Sequence, residues 1–192
     1  MKIKFCILAL FAVVAFPTLA QDNLMFSDRL FFGGNFGLMA SSSYTDIEIS
    51  PHVGYYITPR WSAGIGATYK YFNDKYYFPL PNGEWERFES HIWGGRTFTN
   101  YVIVNNVGDW IPLGTDFRIY AQAEYEFLSY EEKFFSRNAT GRKMQNSILV
   151  GGGFRFPMGP RSSMNLTILW NLNSNMDDIY GGRPIIRFGV NF

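Results

Sequence analysis

The sequence predicts an all-β protein, an eight-stranded antiparallel up-and-down transmembrane β-barrel, and three observations carry this prediction. Aromatic residues make up 19% of the 192-residue chain and charged residues only 17%, whereas ordinary soluble domains carry about 25% charge. Stretches of roughly 9 to 12 residues alternate between apolar and polar side chains, which is the length and period of a membrane-spanning β-strand. The connections between these stretches differ in length, as the short turns and long loops of such barrels do.

The first 20 residues have the pattern of a secretory signal peptide. Lys2 and Lys4 precede an apolar run over residues 5–16, which is too short to span a bilayer as a helix and ends before a small-residue cleavage site at Ala20. We therefore predict a signal peptide at 1–20 and one outer-membrane β-barrel domain at 21–192. The only cysteine, Cys6, lies in the signal, so no disulfide is expected in the mature chain.

Charge excludes one class of partner. Without the two lysines of the signal peptide, 15 basic residues face 16 acidic ones. A nucleic-acid-binding domain needs a basic excess. No nucleic-acid partner is therefore predicted.

Seven strands follow from the alternation alone, at residues 30–38, 47–57, 61–71, 117–127, 147–156, 164–172 and 186–192. An eighth is expected within 88–104, where Gly94 and Gly95 interrupt the pattern. The pattern allows two orientations of this strand, since either Trp93 and Tyr101 or Ile92 and Phe98 could face outward. We favour the first, because it turns Arg96 inward.

The lengths of the connections predict which end of the barrel faces the periplasm and which faces outward. Residues 58–60 and 157–162 form short connections with turn residues, whereas 72–87, 129–144 and 173–183 are long and polar. The pattern therefore predicts short periplasmic turns and long outer loops. Residues 105–116 are an overlong inner turn and residues 40–44 a short outer loop, which are exceptions to it.

The apolar face of the strands is expected to meet lipid. The opposite face is mostly Gly, Ser, Thr and Asn, which makes a poor water-facing surface but suits a narrow lumen. In the alternative, a soluble lipocalin-like barrel hides the apolar face inside and carries a small hydrophobic ligand. Aromatic residues at the strand ends match interfacial girdles. The predicted lipid-facing and girdle residues are Tyr55, Trp61, Tyr69, Tyr71, Tyr125, Trp170, Phe188 and Phe192.

Two segments carry a resemblance to a known family. The run VGYYITPRWSAGIGATY at 53–69 resembles a strand–turn–strand of small outer-membrane β-barrel proteins of the OmpX and OmpA-barrel type, in a form common in Bacteroidota, and residues 186–192 resemble the last strand of that family. The resemblance implies an outer-membrane location with lipid around the barrel. It also implies that Phe192 is part of the signal read by the barrel-assembly machinery.

The lumen of an eight-stranded barrel is just wide enough to be filled by side chains, so a wide pore is disfavoured. A buried charge without a partner costs several kcal/mol, and the charged residues on the inner face should therefore pair into a polar plug. A narrow ion or proton path is the alternative. The predicted lumen network consists of Glu48, His52, Lys70, Arg96, Arg118, Glu124, Glu126, Arg155 and Arg187.

No enzyme activity, cofactor or metal site is predicted. Ser90 and His91 form the one conceivable nucleophile–base pair, which keeps a lipid A-modifying barrel enzyme as an alternative. Neighbours on a strand point to opposite faces, however, and this opposes their meeting. The two histidines do not combine with cysteines or a carboxylate cluster at metal-ligand spacing.

The long outer loops are the remaining place for a function. Exposed aromatics beside charges can bind a partner or a saccharide. In the alternative, the loop segments extend the strands and their aromatics pack across them. We expect a structural or surface-interaction role in adhesion or in the envelope, with an extracellular partner that the sequence does not identify. The candidate contacts are Tyr76, Tyr77, Phe78, Trp85, Phe134 and Phe135.

Overall fold

The computed structural model describes residues 26–40, 42–79, 83–110, 116–136, 139–174 and 178–192, without the side chains of Met39, Ala40 and Phe78. The predicted signal peptide lies outside these residues. The described helices are two short 3₁₀ segments, Phe26–Arg29 and Glu132–Phe134. No helix in the described part of the chain is long and apolar enough to cross a membrane.

Eight strands close into a barrel in the order of the chain, each antiparallel to its neighbours. This confirms the predicted fold class, an all-β, eight-stranded, antiparallel up-and-down barrel. The strands are β1 (Leu30–Ala40), β2 (Tyr44–Tyr56), β3 (Trp61–Pro79), β4 (Trp85–Val104), β5 (Arg118–Glu131), β6 (Arg142–Pro157), β7 (Ser163–Asn171) and β8 (Ile185–Asn191).

The barrel closes where β8 returns to β1. Residues 33–36 of β1 pair with 188–191 of β8. Beyond this ladder, the amide of Phe32 donates to the carbonyl of Phe192 at 3.1 Å, and the amide of Phe192 donates to the carbonyl of Phe32 at 2.8 Å. Closure pairs the two strands that would otherwise be the edges of the sheet.

The two ends of the barrel differ. The turn end carries Phe192 and the connections 57–60, 105–117 and 158–162, and the loop end carries 41–43, 80–84, 132–141 and 172–184. Strands β3 and β4 have 19 and 20 residues and pair from Trp61↔Tyr101 to Pro79↔Trp85. A membrane-spanning strand needs about 9–11 residues, so this hairpin extends far past the loop end of the other strands.

This extension corrects the predicted loop bounds. Most of the expected loop 72–87 is strand, and only 80–84 lie between β3 and β4. The expected loop 129–144 shortens to 132–141, since β5 continues to Glu131 and β6 begins at Arg142. Cross-strand aromatic packing stabilises these segments, as the second of the two interpretations of the loops requires.

Apolar side chains cover the outer face. Phe32 is 61% exposed and Ile65 60% exposed on that face. In β4 the structure turns Trp93 and Tyr101 outward, whereas Ile92, Phe98 and Arg96 are buried in the lumen. The lumen has an apolar layer toward the loop end, formed by Ile92, Leu128, Tyr130, Leu149, Leu169, Tyr180 and Ile185.

Two glycines show why this wall needs residues without a side chain. A Cβ atom on Gly94 would lie 1.9 Å from the carbonyl oxygen of Phe127, and one on Gly151 would lie 2.0 Å from that of Ile168. Real Cβ atoms do not approach so closely. These glycines therefore allow the backbones of neighbouring strands to come close together.

Candidate functional site

The guanidinium of Arg187 is the centre of the lumen. Its Nε and Nη1 lie 2.6 Å from carboxylate oxygens of Glu48 and Glu124, and its Nη2 lies 3.0 Å from Glu126. The side chain of Arg187 is 1% exposed. Three carboxylates from two strands therefore share one cation from β8.

Neutral groups complete the coordination of these carboxylates. The hydroxyl of Tyr180 donates to Glu126, and the hydroxyl of Thr68 donates to the other oxygen of Glu126 at 3.3 Å. The amide of Gln122 donates to Glu124 at 2.9 Å. Buried carboxylates with several donors of this kind are held in one position.

A second cation, Arg96, lies on the turn-end side of the network. Its Nη1 is 3.4 Å from Glu124, and its Nη2 is 3.2 Å from Nδ1 of His52. With its amide oxygen turned toward the guanidinium, Asn35 accepts from both terminal nitrogens at 2.8 Å. The Nε2 atom of His52 lies 2.9 Å from Oδ1 of Asn191. His52 is therefore held between a cation and an amide.

Lys70 covers the loop-end side of the network. Its ammonium lies 3.6 Å from both Asp46 and Glu48, and 4.6 Å from the centre of the Tyr180 ring. On its turn-end side, the network borders a void of about 20 Å³ that is lined by Asn35, Arg96 and Arg155. Space of this size accommodates about one water molecule, so side chains fill the lumen next to the network.

Two members of the predicted network are not part of it. Arg155 donates from Nε to Oδ1 of Asn165 at 2.9 Å and lies 5.1 Å from the centre of the Tyr120 ring. The side chain of Arg118 forms no hydrogen bond or ion pair with any other described residue. Both arginines lie near the turn end, and the acidic residues of the lumen lie farther toward the loop end. The structure therefore places both arginines on the inner face, as predicted, but does not bring them into the ion pairs around Arg187.

An internal aromatic cluster stabilises the extended hairpin. Tyr77 stacks on Phe88 with ring centres 4.4 Å apart, and its hydroxyl donates to the carbonyls of Lys133 and Phe134. Phe134 also contacts Phe135, with ring centres 5.0 Å apart. Burial, together with the nearby carboxylates of Asp74 and Glu86, raises the pKa of Tyr77 to about 12.

Other candidate loop residues stay on the surface. The rings of Tyr76 and Trp85 are nearly perpendicular with centres 5.8 Å apart, and both side chains are about half exposed (54% and 50%). Lys75 and Arg87 are exposed on the same hairpin. The side chain of Phe78 lies outside the described residues.

Asp178 fixes the loop that carries Tyr180. It accepts from Gln145 at 2.7 Å, from Asn171 at 3.0 Å and from the amide of Tyr180 at 3.0 Å. Burial acts to raise the pKa of Asp178, but the hydrogen bonds from these groups and from the side chain of Ser174 outweigh it and lower the pKa. The loop is therefore anchored over the lumen by an ionised carboxylate.

The predicted lipid-facing residues lie on the outer face in two bands and along β8. Trp61 lies near the turn end, where its indole donates to Thr99 at 2.7 Å. Tyr69 lies toward the loop end and shares a 2.8 Å hydrogen bond with His91. The outward-facing members are Tyr55 and Trp61 near the turn end, Tyr69, Tyr71, Tyr125 and Trp170 toward the loop end, and Phe188 and Phe192 on β8 and its end.

The conceivable nucleophile and base lie on opposite sides of the wall. Ser90 is buried in the lumen, and its hydroxyl has no hydrogen-bond partner among the described residues. His91 is exposed on the outer face beside Tyr69 and Tyr71. The structure therefore does not bring Ser90 and His91 together. Among the described residues, no three His, Cys, Asp or Glu side chains are arranged so that they could hold one metal ion.

Several lumen residues were not singled out from the sequence. Asp46, Ser50, Thr68 and Gln122 lie on the inner face of their strands, so the alternation alone could have added them. Tyr180 comes from an expected external loop. No periodic signal marks it.

Comparisons with known proteins find likeness only among solved structures. No protein-family model and no curated protein matches the chain. The N-terminal β-barrel domain of OprF from Pseudomonas aeruginosa is 12% identical, with a TM-score of 0.48 over 85% of this chain and 94% of that one. A de novo designed transmembrane β-barrel is 10% identical (TM-score 0.44, covering 85% and 93%). Ail, the attachment invasion locus protein of Yersinia pestis, solved with the heparin analogue sucrose octasulfate, is also 10% identical (TM-score 0.38, covering 85% and 92%).

Proposed function

We propose that this protein is an exported outer-membrane β-barrel with a closed lumen, and that it acts without catalysis in the envelope or at the cell surface through its loop end. The observation that carries the proposal is the distribution of polarity. Large apolar side chains are exposed on the outer face, whereas the buried charges fill the lumen. A soluble barrel needs the opposite arrangement.

The spacing of the aromatic bands supports insertion into a membrane. Trp61 and Tyr69 both face outward from β3 and are eight residues apart. Eight residues rise about 26 Å along a strand. At a strand tilt of 35–45° this corresponds to a height of about 20 Å, close to the roughly 25 Å apolar band of outer-membrane barrels.

The extended hairpin supports a role outside the membrane. From Tyr69 to Pro79, β3 continues for ten residues, which is about 33 Å along the strand. The hairpin that this part forms with β4 carries the exposed pair of Tyr76 and Trp85, and the exposed cations Lys75 and Arg87 are close to these two residues in sequence. Exposed aromatic rings beside hydrogen-bonding cations suit a saccharide or protein surface.

The same geometry disfavours the alternatives. A lipocalin-like carrier requires an apolar lumen, but this lumen holds the ion pairs of Arg187 and Arg96 beside its apolar layer. A conducting path would have to pass the ion pairs around Arg187. A lipid A-modifying enzyme built on Ser90 and His91 would need both side chains on one face.

Membrane insertion is tested by gel mobility of the membrane-extracted protein with and without boiling. We expect a heat-dependent shift and a membrane-bound fraction, since closed membrane barrels resist cold SDS. Protein that is free in the periplasm and shows no shift would overturn the proposal. An altered acyl pattern of lipid A in cells carrying the gene would favour the enzyme, and steady conductance in a planar bilayer would favour the channel.

The surface role is tested with cells that display the protein. The cells are applied to a surface that carries immobilised neutral and acidic saccharides, and the fraction of cells retained is measured. We expect retention that falls in the variant Trp85→Ala. Trp110→Ala is the matched control, because Trp110 is also exposed but lies at the turn end. No retention by the wild-type protein, or equal retention by both variants, would overturn the saccharide-binding part of the proposal.

A further inference from the structure

Two arginines oppose each other at the turn end without an acidic partner. Arg118 on β5 is directly opposite Arg155 on β6 in the antiparallel register. Directly opposed residues point to the same face, and both lie on the inner face of their strands. Like charges in this position destabilise a sheet. The packing of the barrel wall therefore does not explain why two arginines occupy these opposed positions.

The nearby acidic groups are already occupied. Glu48, Glu124 and Glu126 contact Arg187, and Asp28 contacts Arg161 at 2.7 Å. Arg155 is 4% exposed, and its one described hydrogen bond leaves from Nε toward Asn165. Its terminal nitrogens donate to no acceptor among the described residues.

Both guanidinium groups border an open vestibule. A cavity of about 540 Å³ lies at this end of the lumen, lined by Arg118 and Arg155 together with Phe31, Tyr56 and the Arg161–Asp28 pair. Cavities of small-molecule sites have about 300–1,000 Å³. Among the charged side chains of this lining, three arginines outnumber one aspartate, so their net charge is positive.

We propose that the turn-end vestibule binds an oxyanion, a phosphate or carboxylate group held between Arg118 and Arg155. Guanidinium groups match these anions because their planar N–H donors bind two oxygens at once. The bound anion would remove the repulsion between the two arginines. Arg155 is held by Asn165 and the ring of Tyr120 as a fixed donor, and the more exposed Arg118 completes the site from the rim.

The vestibule faces water at the turn end, so the anion can come from two sources. It is either a soluble phosphate or carboxylate compound, or the headgroup of an anionic phospholipid beside the rim. The recognition chemistry is the same in both cases. This inference does not depend on the proposed surface role of the loop end, which lies at the opposite side of the barrel.

The test titrates inorganic phosphate into the refolded mature barrel in uncharged detergent micelles, by calorimetry at constant ionic strength set with sodium chloride. We expect binding by the wild-type protein and about tenfold or more weaker binding by Arg118→Gln. Arg183→Gln is the matched control, since Arg183 is exposed at the loop end, and its binding should equal that of the wild type. Without phosphate at low salt, Arg118→Gln should be more heat-stable than the wild type, because one of the two directly opposed like charges is gone.

Repeating the titration in lipid nanodiscs separates the two sources. Phosphate binding that weakens when phosphatidylglycerol replaces phosphatidylcholine assigns the site to a lipid headgroup, and unchanged binding assigns it to a soluble anion. Absence of phosphate binding to the wild-type protein would overturn the proposal. Equal binding by Arg118→Gln, or equal losses in Arg118→Gln and Arg183→Gln, would do so as well.

Discussion

Replacing Arg187 with Met tests whether the lumen network stabilises the barrel. The substitution keeps much of the side-chain volume and removes the charge that three carboxylates share. These carboxylates lie 2.6, 2.6 and 3.0 Å from the three nitrogens of Arg187. We expect a large loss in the free energy of unfolding.

The size of the loss follows from what each carboxylate retains. Glu48 keeps Lys70 at 3.6 Å and Glu124 keeps Arg96 at 3.4 Å. Among the described residues, Glu126 keeps only the hydroxyls of Thr68 and Tyr180. Removing one partner of a buried ion pair costs about 3–5 kcal/mol. We expect about 4 kcal/mol here, most of it from Glu126.

The assay is unfolding in urea of the barrel refolded into lipid vesicles, with the folded fraction read from gel mobility without boiling. Arg161→Met is the control, because its 2.7 Å ion pair with Asp28 is at the surface, with the arginine side chain 69% exposed. Pairs of this kind contribute about 0–1 kcal/mol. In the double variant Arg187→Met with Glu126→Gln, we expect the free energy of unfolding to be about 1–3 kcal/mol higher than in Arg187→Met alone. An effect of Arg187→Met no larger than that of Arg161→Met would refute the reasoning.

Three further changes test other parts of the structure. Tyr77→Phe should cost about 1 kcal/mol in the same assay and remove an absorbance titration near pH 12; an unchanged titration would contradict the burial of this phenol. The pKa of Asp178 is lowered in the folded protein. Its contribution to the free energy of unfolding is therefore complete above its unfolded pKa of about 3.9 and is lost as the pH falls through the folded pKa. The protection factor of the Tyr180 amide against hydrogen exchange should therefore fall in acid, and Asp178→Asn should remove this pH dependence. Gly151→Ala should abolish the heat-dependent gel shift, whereas Gly34→Ala should keep it, since its Cβ has 3.7 Å of clearance.

The period-two pattern predicted the strands well where one face of the wall meets lipid. In β3, Trp61, Ile65 and Tyr69 face outward, and Thr68 and Lys70 are buried in the lumen, as the alternation requires. The signal is strong there because the two faces meet opposite environments. A slip of one residue would turn every side chain to the wrong face.

The same signal fails where both faces meet water or other parts of the protein. Residues 72–79, with sequence FNDKYYFP, show no alternation, so the pattern predicts a loop there, but all of them belong to β3. Their order comes from partners distant in sequence, such as the stacking of Tyr77 on Phe88 and its hydrogen bonds to Lys133 and Phe134. A local pattern does not contain these contacts.

The lumen shows which information alternation lacks. The alternation predicts which face of the barrel wall a residue is on, but not how high the residue lies along the barrel axis. That height depends on how far the strands are staggered around the barrel. Arg187 on β8 meets Glu124 and Glu126 on β5 across the lumen, whereas Arg118, on the same face of β5 as these two glutamates, is near the turn end and reaches no acidic residue among those described. The sequence alone could therefore predict which charges enter the lumen but not which of them pair. Two arginines that look equivalent in the pattern thus have opposite consequences, since Arg187 stabilises the plug and Arg118 remains available to a ligand.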